Sequence, residues 1–236
     1  MKKVIAVILI TIGIVVITHS VGLKAYTKMK ETKLINEFEE ELEERTANKQ
    51  GEDGASDVLS SDSPNSDEVE EMKSLLGGEK LAIIEIPSIN LKSIVVEGTD
   101  MNHLKYYVGH FTESKMPGEY GNFAISGHSS TIYTEVFNQV HTLKPGDLIQ
   151  ITTLFGKYDY YVRGIETVDP YRYDVIYDEE GKRTLTIVTC NENGSRRVIV
   201  KAEMKEEPKE EELDDEWIEE EENAVNDSET EFIDNN

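Results

Sequence analysis

The chain holds one cysteine, Cys190, and it closes an aliphatic, β-branched run, Thr184-Leu185-Thr186-Ile187-Val188-Thr189-Cys190. A second such run starts at Arg197 and reads Arg197-Val198-Ile199-Val200-Lys201-Ala202. Both read as strands. A thiol is a good nucleophile only as the thiolate, and a neighbouring cation favours that form. A lone cysteine is commonly a small buried hydrophobe. Here, however, it ends an apolar strand and meets a polar loop, Asn191-Glu192-Asn193-Gly194-Ser195. A thiol at the end of one strand and a guanidinium at the start of the next can supply a nucleophile and an oxyanion stabiliser. The missing part is a proton carrier, most often histidine.

Five histidines compete for that role: His19, His103, His110, His128 and His141. His19 lies in an apolar N-terminal segment, His103 and His110 flank an expected short helix, and His141 falls in a loop. His128 follows Ile125-Ser126-Gly127, where a glycine permits a tight turn or a close backbone approach at a strand end. Composition alone does not choose among them. The arginine is similarly open. Arg196 and Arg197 are adjacent, and neighbouring side chains on a strand point to opposite faces. Alternation places Arg197, Ile199 and Lys201 on one face and Val198, Val200 and Ala202 on the other. Periodicity therefore gives Arg197 no preference for an inward role.

The elements that must position these residues are short strands. They are expected at Leu81–Pro87, Leu91–Val96, Asn122–Ser126, Asp147–Thr153, Lys157–Glu166, Thr184–Thr189 and Arg197–Glu203. Turn signals separate them, among them Pro117-Gly118, Lys144-Pro145-Gly146-Asp147, Phe155-Gly156-Lys157 and Asn191–Gly194. Many short strands with little helical periodicity predict an all-β fold, a closed or partly closed barrel. Short helices are expected over Asn102–Val108 and Thr131–Gln139.

Val4 to Leu23 is an uncharged, nearly unbroken apolar run. Twenty residues in a helix rise about 30 Å, the thickness of a bilayer's hydrocarbon core. The stretch is long for a cleaved signal peptide and no small-residue cleavage site follows, so it reads as a signal-anchor. Lysines flank both ends, leaving orientation undetermined by charge; a short N-terminal tail usually stays inside. Beyond it, Leu34, Ile35, Phe38 and Leu42 share one helical face among glutamates, read as a juxtamembrane spacer rather than a dimerising coil. Gln50 to Ser66 is Gly, Ser, Asp and Asn with almost no apolar residue, a flexible linker. Acids outnumber bases 48 to 24, and from Glu203 to Asn236 there are 17 acids and two lysines. The acidic end reads as a solvated tail. No nucleic acid is expected as partner, because phosphate binding needs clustered Lys and Arg. The domain layout is therefore 1–30 signal-anchor and flanks, 31–80 juxtamembrane helix and linker, 81–204 barrel, and 205–236 acidic tail.

Three stretches together resemble the sortase family, the membrane-anchored cysteine transpeptidases, and its class A or D members in particular. They are Gly127-His128-Ser129, Thr186 to Cys190 in a Thr-x-x-Thr-Cys pattern, and the strand opened by Arg197. Tyr107-Val108-Gly109-His110-Phe111, with Pro117-Gly118 and Gly121-Asn122, is also similar to the lead-in of several sortases. The resemblance implies a barrel of about eight strands behind an N-terminal transmembrane helix, with the barrel extracytoplasmic. It implies Cys190 as nucleophile, His128 as general acid and base, and Arg197 as oxyanion and substrate stabiliser, with Arg196 the alternative. It implies cleavage of a Leu-Pro-x-Thr-Gly-like sorting signal of surface proteins, and transfer of the acyl group to an amine of cell-wall precursor or pilin. No cofactor is implied. Calcium dependence, known for some sortases, is not readable here, since acidic loops such as Asp178-Glu179-Glu180 are usually only solvated. Two other readings are a hydrolytic cysteine peptidase on the same site and a non-enzymatic, membrane-tethered β-domain that binds a surface ligand.

Overall fold

A computed structural model describes residues 2–49, 64, 80–131 and 133–205. The expected linker at 50–66, apart from Pro64, and the acidic tail from residue 206 lie outside the described residues. One continuous helix, α1 (Lys2–Lys49), precedes eight strands. These are β1 (Ala82–Ile86), β2 (Leu91–Glu97), β3 (Val108–His110), β4 (Gly121–Ser126), β5 (Leu148–Thr152), β6 (Lys157–Val168), β7 (Arg183–Cys190) and β8 (Arg197–Met204). They close a barrel in the order β1-β2-β3-β4-β7-β8-β6-β5. Closure leaves no sheet edge unpaired. The pairs β2–β3 and β4–β7 are parallel and the others antiparallel.

Seven of these strands match the expected runs. The eighth, β3, has three residues, all buried, and is too short to show a pattern of its own. It pairs β2 and β4 and so closes the wall. The helix expected over Asn102–Val108 is a single turn, α2 (Met101–Leu104), capped by Asp100, whose carboxylate accepts from the backbone N–H of Asn102 and His103. Where a helix is expected over Thr131–Gln139, none is present among the described residues. Thr131 instead folds that stretch into a side-chain-closed turn, its Oγ1 accepting from Tyr133 N and Thr134 N, and a 3-10 turn follows at Val140–Thr142.

Strand alternation sorts the side chains. Leu185 and Ile187 of β7, Phe123 and Ile125 of β4, and Val200 and Ala202 of β8 join the main core. Val188 and Ile199 instead meet Val168, Val175 and Ile176 in a second, smaller cluster. On β7 and β8 the even and odd residues respectively therefore face outward. The 169–182 segment covers that outer face. Asp178 Oδ1 accepts from Asn122 N at 2.9 Å, Lys201 Nζ donates to Val175 O at 2.5 Å, and Arg163 Nη2 donates to Glu179 Oε1 at 2.6 Å.

The segment expected as a spacer is part of the barrel's packing. Ile35 and Phe38 of α1 are buried in the main core, with Leu34 packed against it. Glu31, itself buried, accepts a 2.5 Å hydrogen bond from the buried Ser93 hydroxyl on β2. Phe38 and its neighbours thus cover the outer side of the barrel wall at β2, in place of solvent or a second helix.

Candidate active site

Cys190 is the last residue of β7 and Arg197 the first of β8, and the two are Cα partners in the antiparallel ladder. Directly opposed residues of neighbouring strands share a face. Cys190 and Arg197 therefore both sit on the outward side of the wall, in the row completed by Val168 of β6, which is Arg197's other partner. Periodicity disfavoured Arg197 only for an inward role. The thiol itself lies on the outward face, so the same alternation now puts Arg197 with it and Arg196 on the opposite side. Arg196 is exposed, its Nη2 donating to Thr167 O at 3.4 Å.

The loop between them is a tight one. Asn191 N donates to Arg196 O, Asn191 Oδ1 accepts from Arg196 N, and Gly194 turns the chain at φ +72°, a left-handed conformation that favours glycine. This fixes the separation of the thiol-bearing and guanidinium-bearing strand ends.

His128 follows β4 by two residues. The parallel register pairs Ser126 with Val188, so His128 and Cys190 each stand two residues further along their own strands. The alignment persists past the last ladder pair. Gly127 N donates to Val188 O at 3.2 Å, and Thr189 Oγ1 donates to Gly127 O at 2.8 Å. The His128 carbonyl accepts from Phe137 N at 3.1 Å, tying it to the segment after Thr131. His128 is half-buried, and burial lowers its pKa below the usual imidazole value of about 6.5. The three proposed residues thus end three laterally adjacent strands at one end of the barrel. Among the described residues no hydrogen bond joins their side chains; such contacts commonly tighten only when substrate binds.

The other histidines are differently placed. His110 is buried and engaged through both ring nitrogens: Nδ1 lies 2.8 Å from Glu97 Oε2, and Nε2 lies 2.9 Å from Ser114 Oγ. It also stacks on Phe123. Burial alone raises the Glu97 pKa, but the hydrogen bond and charge of His110 outweigh it and hold that carboxyl below the usual range. His103 sits in α2 beside Asp100. His141 is exposed in the 3-10 turn at Val140–Thr142.

His141 nevertheless borders a cavity of about 530 Å3 that opens beside Cys190. One wall is Cys190, Asn191, Glu192 and Asn193; the other includes Ser129, Ser130, Phe137, Asn138 and His141. His128 and Arg197 are not in its lining. The thiol therefore stands between two spaces, this cavity on one side and the Arg197 row on the other. Among the described residues no group of three or more His, Cys, Asp or Glu could hold a metal ion. Asp178 and Glu179 are engaged in the contacts that pin the 169–182 segment.

Comparison with known proteins identifies the family. The family model described as Sortase domain matches residues 84–205, more than half of the chain. The chain belongs to the sortase family. It is 34% identical over 113 residues to sortase D of Bacillus subtilis strain 168, covering 48% of this chain and 55% of that protein. It is 30% identical over 119 residues to sortase A of Bacillus anthracis, covering 49% and 56%. The chain thus spans about half the length of the curated relatives it matches. Among solved structures, a Clostridium perfringens sortase D5 transpeptidase superposes with TM-score 0.53 at 38% identity, covering 58% of this chain and 88% of that one. Clostridium perfringens sortase C, solved with the C-terminal cell wall sorting motif, shares the fold at TM-score 0.54 and 24% identity, covering 61% and 92%.

Proposed function

We propose that this sortase is a cysteine transpeptidase anchored in the cell membrane by α1, with its barrel on the extracytoplasmic side. The observation that carries the chemistry is the pairing of Cys190 with Arg197, flanked by His128 on the adjacent strand end. In this reading His128 takes the Cys190 proton, and the thiolate attacks a backbone carbonyl within a sorting signal of the Leu-Pro-x-Thr-Gly type. Arg197 donates to the developing oxyanion, where preorganised donors are worth most. Imidazolium then protonates the leaving amine as the C–N bond breaks, leaving a thioester on Cys190. An incoming amine, from cell-wall precursor or a pilin lysine, attacks the thioester. His128 removes its proton, and the new amide is released with the Cys190 thiolate. The depressed pKa of His128 suits the first step, since a neutral imidazole is needed to accept the proton.

The test is product analysis of the full chain with a panel of sorting-signal peptides, with and without an added amine. Amine-bearing product, and a peptide thioester on Cys190 seen by intact mass, are the expected results. Cleavage without amine incorporation supports a hydrolytic peptidase instead. Unchanged cellular activity of a Cys190→Ala protein supports a non-enzymatic surface-binding domain.

A further inference from the structure

Asn193-Gly194 is the chain's one Asn-Gly pair. In such a pair the glycine nitrogen can reach the amide carbon of the asparagine side chain, and no side chain on the glycine blocks the approach. Asparagine is a thermolabile residue for this kind of reason. The pair lies in the β7–β8 loop, where Asn193, Gly194 and Ser195 are all exposed. Apart from its chain neighbours, nothing lies within 4 Å of where a Cβ on Gly194 would stand, so water reaches the pair.

The side-chain carbonyl is already polarised. Asn193 Oδ1 accepts from Ser195 N at 3.0 Å and from Ser195 Oγ at 2.5 Å. Two donors on that oxygen draw electrons from Cγ and stabilise the charge that builds there when a nucleophile attacks. Gly194 N donates to Asn191 O at 2.9 Å, and this bond must open before the nitrogen can turn to Cγ. It belongs to an exposed turn, the kind of structure that opens at low cost.

The position gives the reaction a consequence. Asn193 is on the wall of the cavity beside Cys190. Its loop also sets the separation of the Cys190 and Arg197 strand ends through the Asn191–Arg196 bonds. We infer that Asn193 is a self-modification site: its amide is lost through a succinimide closed with Gly194, and the carboxylate so formed lowers turnover at the neighbouring thiol, a built-in limit on the working life of each molecule.

In the first step Gly194 N loses its proton and bonds to Asn193 Cγ, and the Cγ–Nδ2 bond breaks, Nδ2 taking up a proton to leave as ammonia. Water then opens the ring. Breaking the new bond between Cγ and Gly194 N gives aspartate; breaking the original bond between the Asn193 main-chain carbonyl carbon and Gly194 N gives isoaspartate. Either product adds a negative charge, which disfavours a nearby thiolate. Isoaspartate also adds one carbon to the backbone of a tight loop. The modification needs no catalytic assignment, whereas its effect on turnover rests on the proposed reaction.

The full chain in detergent is incubated at mildly alkaline pH in heavy-oxygen water and digested at intervals. Peptide mapping is expected to show aspartyl and isoaspartyl products at position 193, carrying the heavy oxygen and forming about tenfold faster than at any other asparagine. Loss at Asn193 no faster than at Asn191 overturns the inference. Cleavage of sorting-signal peptides is expected to fall as the modified fraction grows, and a fresh Asn193→Asp chain to keep about a third of native kcat/KM. Asn193→Gln retains an amide whose longer side chain closes the ring poorly, and is expected to hold its starting activity through the same incubation. Equal decay of the native and Asn193→Gln chains, or native turnover in the fully modified chain, overturns the inference. Selective loss of the Asn193 amide in a chain that cleaves no peptide, fresh or aged, supports the modification and counts against the proposed reaction.

Discussion

Cys190 and Arg197 are direct partners across the β7–β8 ladder, each at the end of its strand nearest the connecting loop. Their common face follows from register, and register is set along the two strands by seven paired positions. A slip of one residue would send Arg197 to the opposite face and bring Arg196 beside the thiol. The geometry therefore separates two arginines that are identical in charge and adjacent in sequence.

Replacing them tests this directly. Arg197→Ala is expected to lower kcat/KM by about 10²–10³, the usual loss of one oxyanion donor. Arg196→Ala, on the other face and exposed, is expected to stay within about threefold of the native chain, a barrier change under about 1 kcal/mol. Equal losses in steady-state peptide cleavage refute the assignment of Arg197.

The pH behaviour of His128 has a definite sign. Burial holds its folded pKa below the unfolded value of about 6.5. The unfolded chain therefore binds a proton at a pH where the folded chain does not, and stability from this group is present above about pH 6.5 and declines as pH falls through the folded pKa. A His128→Asn protein is expected to lose less stability between pH 7 and pH 5 than the native chain, measured by urea denaturation. An NMR titration of the imidazole with a midpoint at or above 6.5 contradicts this.

Much of the architecture was legible because it depends on local pattern. β7 and β8 are dense in β-branched and aliphatic residues, and the turns carry Gly and Pro where the chain reverses. β3 was not legible, since three residues carry no period and its place is fixed by neighbours on both sides. The Thr131–Gln139 stretch is rich in β-branched and aromatic residues, which are poor helix formers, and the Thr131 hydroxyl accepting from Tyr133 N and Thr134 N closes a local turn there instead. The apolar face of α1 was visible in Leu34, Ile35 and Phe38, but what it packs on could not be read from the helix alone. For Arg197, alternation alone does not say which face carries the thiol, because that depends on which strand residues fill the barrel. His141 carried no sequence signal of its own, and only the fold of the 129–141 segment brings it to the cavity.

Gly127 lies between β4 and His128, and its space is already taken. A Cβ there would stand 2.8 Å from Phe137 Cδ2 and 3.1 Å from Val136 Cγ1. Gly127→Ala must push Phe137 away, and Phe137 N holds the His128 carbonyl. Overpacking of this kind costs about 1–3 kcal/mol. Lower thermal stability is expected together with, in the proposed reaction, a kcat loss larger than any change in KM, because the displaced Phe137 moves His128. A Gly127→Ala chain with native kcat shows that His128 is not positioned through this contact.

Phe38 tests whether α1 belongs to the folded domain. Its side chain is fully buried, in the main core cluster, although it reaches that core from outside the barrel wall. If the helix is docked, Phe38→Ala removes a large buried ring and is expected to destabilise the protein by about 3–5 kcal/mol. If the helix merely lies against the barrel, the same change leaves barrel unfolding unaffected. Chemical denaturation of the detergent-solubilised chain, followed by tyrosine fluorescence, distinguishes the two. Glu31→Gln serves as the milder companion: it keeps an acceptor for the Ser93 hydroxyl while removing a buried charge, so it is expected to retain the docked state that Phe38→Ala weakens.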